Sequence, residues 1–161
     1  MSKVISIVMG SQSDLETVNE TINLLGEFKV GFQVKVLSAH RTPQEVVQYV
    51  ESVSQSGTKI FIAAAGMSAA LAGVVAAHTT LPVIGIPIET KNLKGLDSLL
   101  STVQMPAGIP VACMSIGKAG ARNAALFALA ILGIQDIKIN AQLINYRKKM
   151  RLKIKQTKIK L

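Results

Sequence analysis

The chain has no tryptophan, and aromatics make up only 4% of its 161 residues against 49% for apolar residues as a whole. A core of any size must therefore be built from Val, Ile, Leu and Ala. One cysteine, Cys113, excludes an intrachain disulfide. Two well-separated histidines exclude a Cys/His metal cluster. No metal is expected, and a reducing, cytoplasmic setting fits best. Acidic residues are absent from Arg147 to Leu161, a stretch of fifteen residues carrying eight Lys/Arg. The remainder holds ten basic and nine acidic residues, so eight of the nine net positive charges belong to the tail. Such a tail reads as a solvated helix end, and a specific nucleic-acid partner is not expected. Charged residues are also missing from Ile60 to Ile88. Gly66, Gly73, His78, Pro82, Gly85 and Pro87 break that run into strand, helix and strand, so no membrane span is expected. Val4–Met9 is too short for the apolar region of a signal peptide.

What is present is a regular alternation. Lys3–Met9 reads as a short buried strand, and Phe32–Leu37, Lys59–Ala64, Pro82–Ile86 and Ile109–Ser115 read as four further strands. Helical patterns follow each. In the first, Ser13 and Glu16 are spaced as a capping box, ahead of a stripe formed by Leu15, Val18, Ile22 and Leu25. In the second, Thr42, Pro43 and Glu45 are spaced as cap, first turn and box partner, ahead of Val46, Val50 and Val53. An Ala/Gly-rich helix is predicted over Ser68–His78. Leu93, Leu96, Leu100 and Val103 mark a fourth, and Ala121, Ala124, Ala128 and Ile131 give a fifth its buried face. A last helix runs from about Ile137 to beyond Met150. The fold class is α/β: a flavodoxin-like three-layer sandwich with a five-stranded parallel sheet in the order 2-1-3-4-5. The unit is expected to span 1–150, with a basic tail over 151–161. Its ligand crevice would lie at the carboxyl ends of strands one and three.

Polar residues gather at those ends. Ser11, Ser13 and Asp14 sit at the first strand-to-helix turn, where free N–H groups and hydroxyls suit a phosphate and a carboxylate suits a sugar hydroxyl. Equally, Ser13 could serve as a cap and Asp14 as a complement to the helix dipole. Arg41 stands beside a helix N-terminus, where the dipole favours anions; it points either to an anionic ligand or to a surface ion pair. His40 is the one titratable acid/base candidate in its loop, with a satisfied loop histidine as the alternative. His78, near a helix end, reads as structural or exposed. Ala65–Ser68 is small enough to let a planar ligand approach. Cys113 reads as a core residue. Gly117–Gly120 lacks the spacing of a nucleotide-binding loop.

These segments together resemble the PurE family, the 5-(carboxyamino)imidazole ribonucleotide mutases of purine biosynthesis. The matching runs are Gly10–Asp14, Ser38–Pro43, Asp97–Pro106 and Ile116–Gly120 with Asn123–Ala125, in family order. The resemblance implies an isomerase that moves a carboxylate from the exocyclic amine to ring carbon C4, without metal or cofactor, in a homo-octamer. It implies that Ser11 and Ser13 lie near the phosphate and that Asp14 accepts from ribose. Arg41 would pair with the phosphate, helped by Ser38 and Ala39, and His40 would be the general acid/base. Gly66 to Leu71, with Ser68, would form part of an apolar pocket for carbon dioxide. One departure stands out: Ala70 and Ala72 occupy positions where many bacterial members have His and Pro. The alternative reaction is direct carboxylation of aminoimidazole ribonucleotide, whose animal-type enzymes typically carry Lys where this chain has Arg41. A further alternative is a non-catalytic nucleotide-binding module.

Overall fold

A computed structural model describes residues 3–157 and 159. Five strands, β1 (Ile5–Met9), β2 (Phe32–Val36), β3 (Ile60–Ala65), β4 (Val83–Pro87) and β5 (Ala112–Cys113), form one parallel sheet in the order β2-β1-β3-β4-β5. The helices are α1 (Leu15–Glu27), α2 (Pro43–Gln55), α3 (Leu71–Ala77), α4 (Leu96–Val103), α5 (Gly117–Gly133) and α6 (Ile137–Gln156). The expected topology is the observed one.

Strands β1, β3 and β4 are buried on both faces, so side-chain alternation sorts their residues between two cores, while the edge strand β2 is partly exposed. Ile5, Ile7, Ile60, Ile62 and Ala64 face α1 and α5. Val8, Phe61 and Ala63 face α2 and α3. Small residues let α5 approach closely: Ala121, Ala124, Ala125 and Ala128 are fully buried, and the Thr21 hydroxyl donates to the Ala121 carbonyl at 2.8 Å. Register then fixes the ligand edge. Met9 pairs with Val36 on one side and Ala64 on the other, so the loops leaving β1, β2 and β3 emerge side by side.

Several local expectations need correction. Ser13 and Glu16 do not cap α1. Ser11 caps a short 3-10 turn, Gln12–Asp14, and Asp14 completes that box; Glu16 instead pairs with Lys118 at 2.7 Å. Thr42 holds the cap position of α2 with Pro43 at its start, but no side-chain cap bond forms. The Thr42 hydroxyl turns back to Ser38, accepting from its N–H at 2.9 Å and donating to its carbonyl at 3.1 Å. Helix α3 begins at Leu71 rather than Ser68: the Ala69 N–H donates to the Met67 carbonyl at 2.8 Å, closing a tight turn where the first helical turn was expected. Strand β5 is limited to Ala112–Cys113. Cys113 is half-buried, and burial pushes its thiol pKa up, away from nucleophilic reactivity.

Helix α4 departs most from expectation. Leu93, Leu96, Leu100 and Val103 face solvent, while Ser98 and Thr102 are buried. The Ser98 hydroxyl is shared between the carbonyls of Ile88 and Gly95, each at 2.9 Å, and Thr102 donates to the Ser98 carbonyl at 2.7 Å. Gly85 on β4 makes room for this polar seam, since a Cβ there would collide with the Thr102 methyl. Helix α6 runs unbroken through position 150 to Gln156; its Tyr146 ring lies 6.0 Å from Phe28, and everything described beyond it is exposed.

Candidate active site

At the carboxyl ends of β1, β2 and β3 lies a cavity of about 640 Å³. All ten residues predicted from the sequence line it. The first loop gives Ser11, Ser13 and Asp14. The second gives Ser38, Ala39, His40 and Arg41. The third gives Gly66, Ser68 and Leu71. Parallel strands in register bring three separate stretches of chain to one place.

The first loop is built around Asp14, whose residue surface is only 7% exposed. Its Oδ2 accepts from the Ser11 N–H at 3.0 Å, and its Oδ1 from the Ser13 hydroxyl at 3.4 Å. The Ser13 hydroxyl also lies 2.9 Å from the Ser11 hydroxyl, so the loop is tied internally. Burial raises the Asp14 pKa above its ordinary 3.8. The Ser11 N–H, the Ser13 hydroxyl and the Arg41 charge each pull it back only in part. A carboxylate kept at that disadvantage gains when a ligand hydroxyl donates to it.

Arg41 joins the first two loops. Its Nη2 donates to the Gly10 carbonyl at 3.0 Å and its Nε to the Ser38 hydroxyl at 3.4 Å. Its backbone N–H reaches the same hydroxyl at 3.2 Å. Among the described residues no carboxylate lies within ion-pair distance of it. The surface ion pair is therefore not what holds this guanidinium. Its remaining N–H groups are available to an anion in the cavity. His40 is exposed, and its ring makes no hydrogen bond among the described residues.

The third loop supplies the apolar side. Ala69 and Leu71 are buried beside the cavity, and Ala70 leaves no imidazole there. Thr90, also in the lining, escaped the sequence reading, and Met67 entered it only as a member of the Gly66 to Leu71 run. A signal for Thr90 existed: β4 runs parallel to β3, so the residues after β4 must pass the third loop. The Ile88 N–H indeed donates to the Ala65 carbonyl at 3.0 Å. Met67 gave no such signal, because φ > 0 is unusual for its residue type. The Gly117–Gly120 run starts α5 and does not line the cavity. Lys118 is held there by Glu16, and Gly120 is required because a Cβ would strike the Ser115 carbonyl.

The family model described as AIR carboxylase matches residues 4–153. The chain belongs to this family. It is 52% identical over 136 residues to the N5-carboxyaminoimidazole ribonucleotide mutase of Bacillus subtilis (strain 168), covering 84% of each chain. It is 47% identical over 153 residues to the mutase of the same name from Pyrococcus horikoshii, covering 95% of this chain and 85% of the relative. The crystal structure of Treponema denticola PurE superposes with a TM-score of 0.85 at 29% identity, covering 93% of this chain and 92% of the other. That similarity establishes the flavodoxin-like three-layer architecture for the whole unit. No described helix is long and apolar enough to cross a membrane.

Proposed function

We propose that this protein is an N5-carboxyaminoimidazole ribonucleotide mutase, an isomerase of purine biosynthesis. The observation that carries it is one cavity bringing together a buried carboxylate with an arginine and an imidazole that, among the described residues, have respectively no carboxylate partner and no ring hydrogen bond. Relatives about half identical over most of the chain bear the mutase name, which favours this reaction over direct carboxylation.

The residues divide the work by chemistry. Arg41, Ser11 and Ser13 hold the phosphate, with Ser38 fixing the guanidinium and Ala39 leaving space beside it. Asp14 would repel a phosphate but accepts from the ribose hydroxyls. His40 is the general acid/base. As the N–C bond of the carbamate breaks, its imidazolium protonates the nitrogen and carbon dioxide is released. The ring's electron pair then forms the C4–carbon bond, and the C4 proton returns to the imidazole. Gly66, Ser68 and Leu71 line the place where carbon dioxide waits. No metal or cofactor takes part in this scheme.

The same reading includes a cytoplasmic homo-octamer. The outward apolar stripe of Leu93, Leu96, Leu100 and Val103 supports subunit contact, because burial between copies removes it from water. The catalytic unit is 1–150, and the basic residues beyond it play no part in the chemistry.

Purified protein offered each ribonucleotide separately tests the reading. Turnover of the N-carboxylated nucleotide without added bicarbonate is expected. Turnover only of aminoimidazole ribonucleotide with bicarbonate would establish direct carboxylation instead.

A further inference from the structure

Met67 fits its surroundings least of any residue in the third loop. Its φ of +57° is left-handed, and it is 64% exposed, yet it lines the cavity. It belongs to neither hydrophobic core. Its carbonyl accepts from the Ala69 N–H at 2.8 Å, which closes a tight turn at this point. The preceding Gly66 is pressed by Thr90: a Cβ there would come within 2.8 Å of the Thr90 methyl. The turn is thus fixed from behind, and Ala69 and Leu71 form its buried base. A long, flexible apolar side chain is left standing at the mouth, held in a backbone conformation that glycine would adopt without strain.

The chemistry under "Proposed function", on which this inference rests, gives that side chain a task. Carbon dioxide is small, neutral and apolar once released, so neither ion pair nor strong hydrogen bond can retain it. Ala70 supplies no imidazole to this loop. Enclosure is what remains. We propose that Met67 caps the mouth of the cavity and keeps the released carbon dioxide beside C4 until the new bond forms. It is a positioning residue: the proton transfers stay with His40, and no bond to Met67 forms or breaks. Its thioether chain can fold over the bound nucleotide and swing away for exchange, because it has several rotatable bonds and is 64% exposed.

Isotope retention tests this. The N-carboxylated nucleotide is converted in a single turnover, with enzyme in excess, in buffer equilibrated with labelled bicarbonate and carbonic anhydrase. The label in the C4-carboxylate is read by mass spectrometry. Wild type is expected to pass on the substrate's own carboxylate. M67G relieves the left-handed strain and so keeps the fold, and it is expected to admit label several-fold above wild type and to release free aminoimidazole ribonucleotide. M67L, which retains the bulk, is expected to behave as wild type. Equal label in wild type and M67G, with both converting the nucleotide, would overturn the cap while leaving the function intact. Failure of wild type to convert the nucleotide would overturn both.

Discussion

Two hollows on this molecule each contain a histidine, hydroxyls and a carboxylate, and they differ most in whether the imidazole is already bonded. The larger, about 840 Å³, lies beside the amino end of β4 and is lined by His78, Ser54, Thr79 and Glu51. There the His78 Nδ1 donates to the Val74 carbonyl at 2.8 Å, and the Ser54 and Thr79 hydroxyls pair at 3.1 Å. The smaller, about 640 Å³, holds Asp14 at a raised pKa and, among the described residues, Arg41 without a carboxylate partner and His40 without a ring hydrogen bond. Volume would select the first, while unspent chemistry selects the second. A site keeps its groups available for something absent from the chain itself, whereas a structural pocket uses them up.

Breaking this contrast begins with the two imidazoles. His40→Asn is expected to lower kcat/KM by at least roughly 100-fold with the fold unchanged, the low end for removing a general acid/base. His78→Asn is expected to leave the rate at the wild-type level. Steady-state kinetics on both variants decide it, and equal losses would erase the distinction.

Arg41→Ala comes next. Losing a charge-assisted contact to phosphate of about 1.5–3 kcal/mol should raise KM by roughly 10- to 100-fold. Truncating the ligand offers a check: the variant should discriminate little between a ribonucleotide and its dephosphorylated nucleoside.

Asp14→Asn sharpens the contrast through stability. The folded protein raises the Asp14 pKa above 3.8, so it binds more protons than the unfolded chain. The associated stability is complete below that ordinary value and is lost as pH rises through the folded pKa. Asn carries no such penalty and can still accept from the Ser11 N–H. The variant should therefore gain on wild type in Tm as pH rises from about 4 toward neutrality, while its affinity for ribonucleotide falls. Parallel Tm curves would remove Asp14 as a strained ligand group.

The smallest effect belongs to the satisfied pocket. Ser54→Ala should cost about 0.5–1.5 kcal/mol, the net worth of one hydrogen bond, with no change in kcat. Denaturant unfolding and the steady-state assay together check it.

The sheet order was legible because β-branched strands and Gly-punctuated turns leave local marks, and those marks together with the family resemblance led to ten of the residues that line the cavity. What the sequence hid had non-local or degenerate causes. The run from Gly10 to Glu16 contains two overlapping capping boxes, Ser11 with Asp14 and Ser13 with Glu16, and the distant Lys118 that engages Glu16 cannot be seen locally. Periodicity correctly marked Leu96, Leu100 and Val103 as one apolar face, yet it cannot say whether that face meets the sheet or another copy. The buried seam of Ser98 and Thr102 looks polar in the sequence because its hydroxyls are satisfied by main-chain carbonyls. The turn at Met67 depends on a φ that residue type alone disfavours.

Because the chain has only two histidines, one titration puts the contrast to the test. Ribonucleotide is added to uniformly labelled protein, and the imidazole resonances of His40 and His78 are followed by NMR. The His40 resonances are expected to shift with saturation while those of His78 stay in place; movement of His78 with a silent His40 would contradict the assignment of the site.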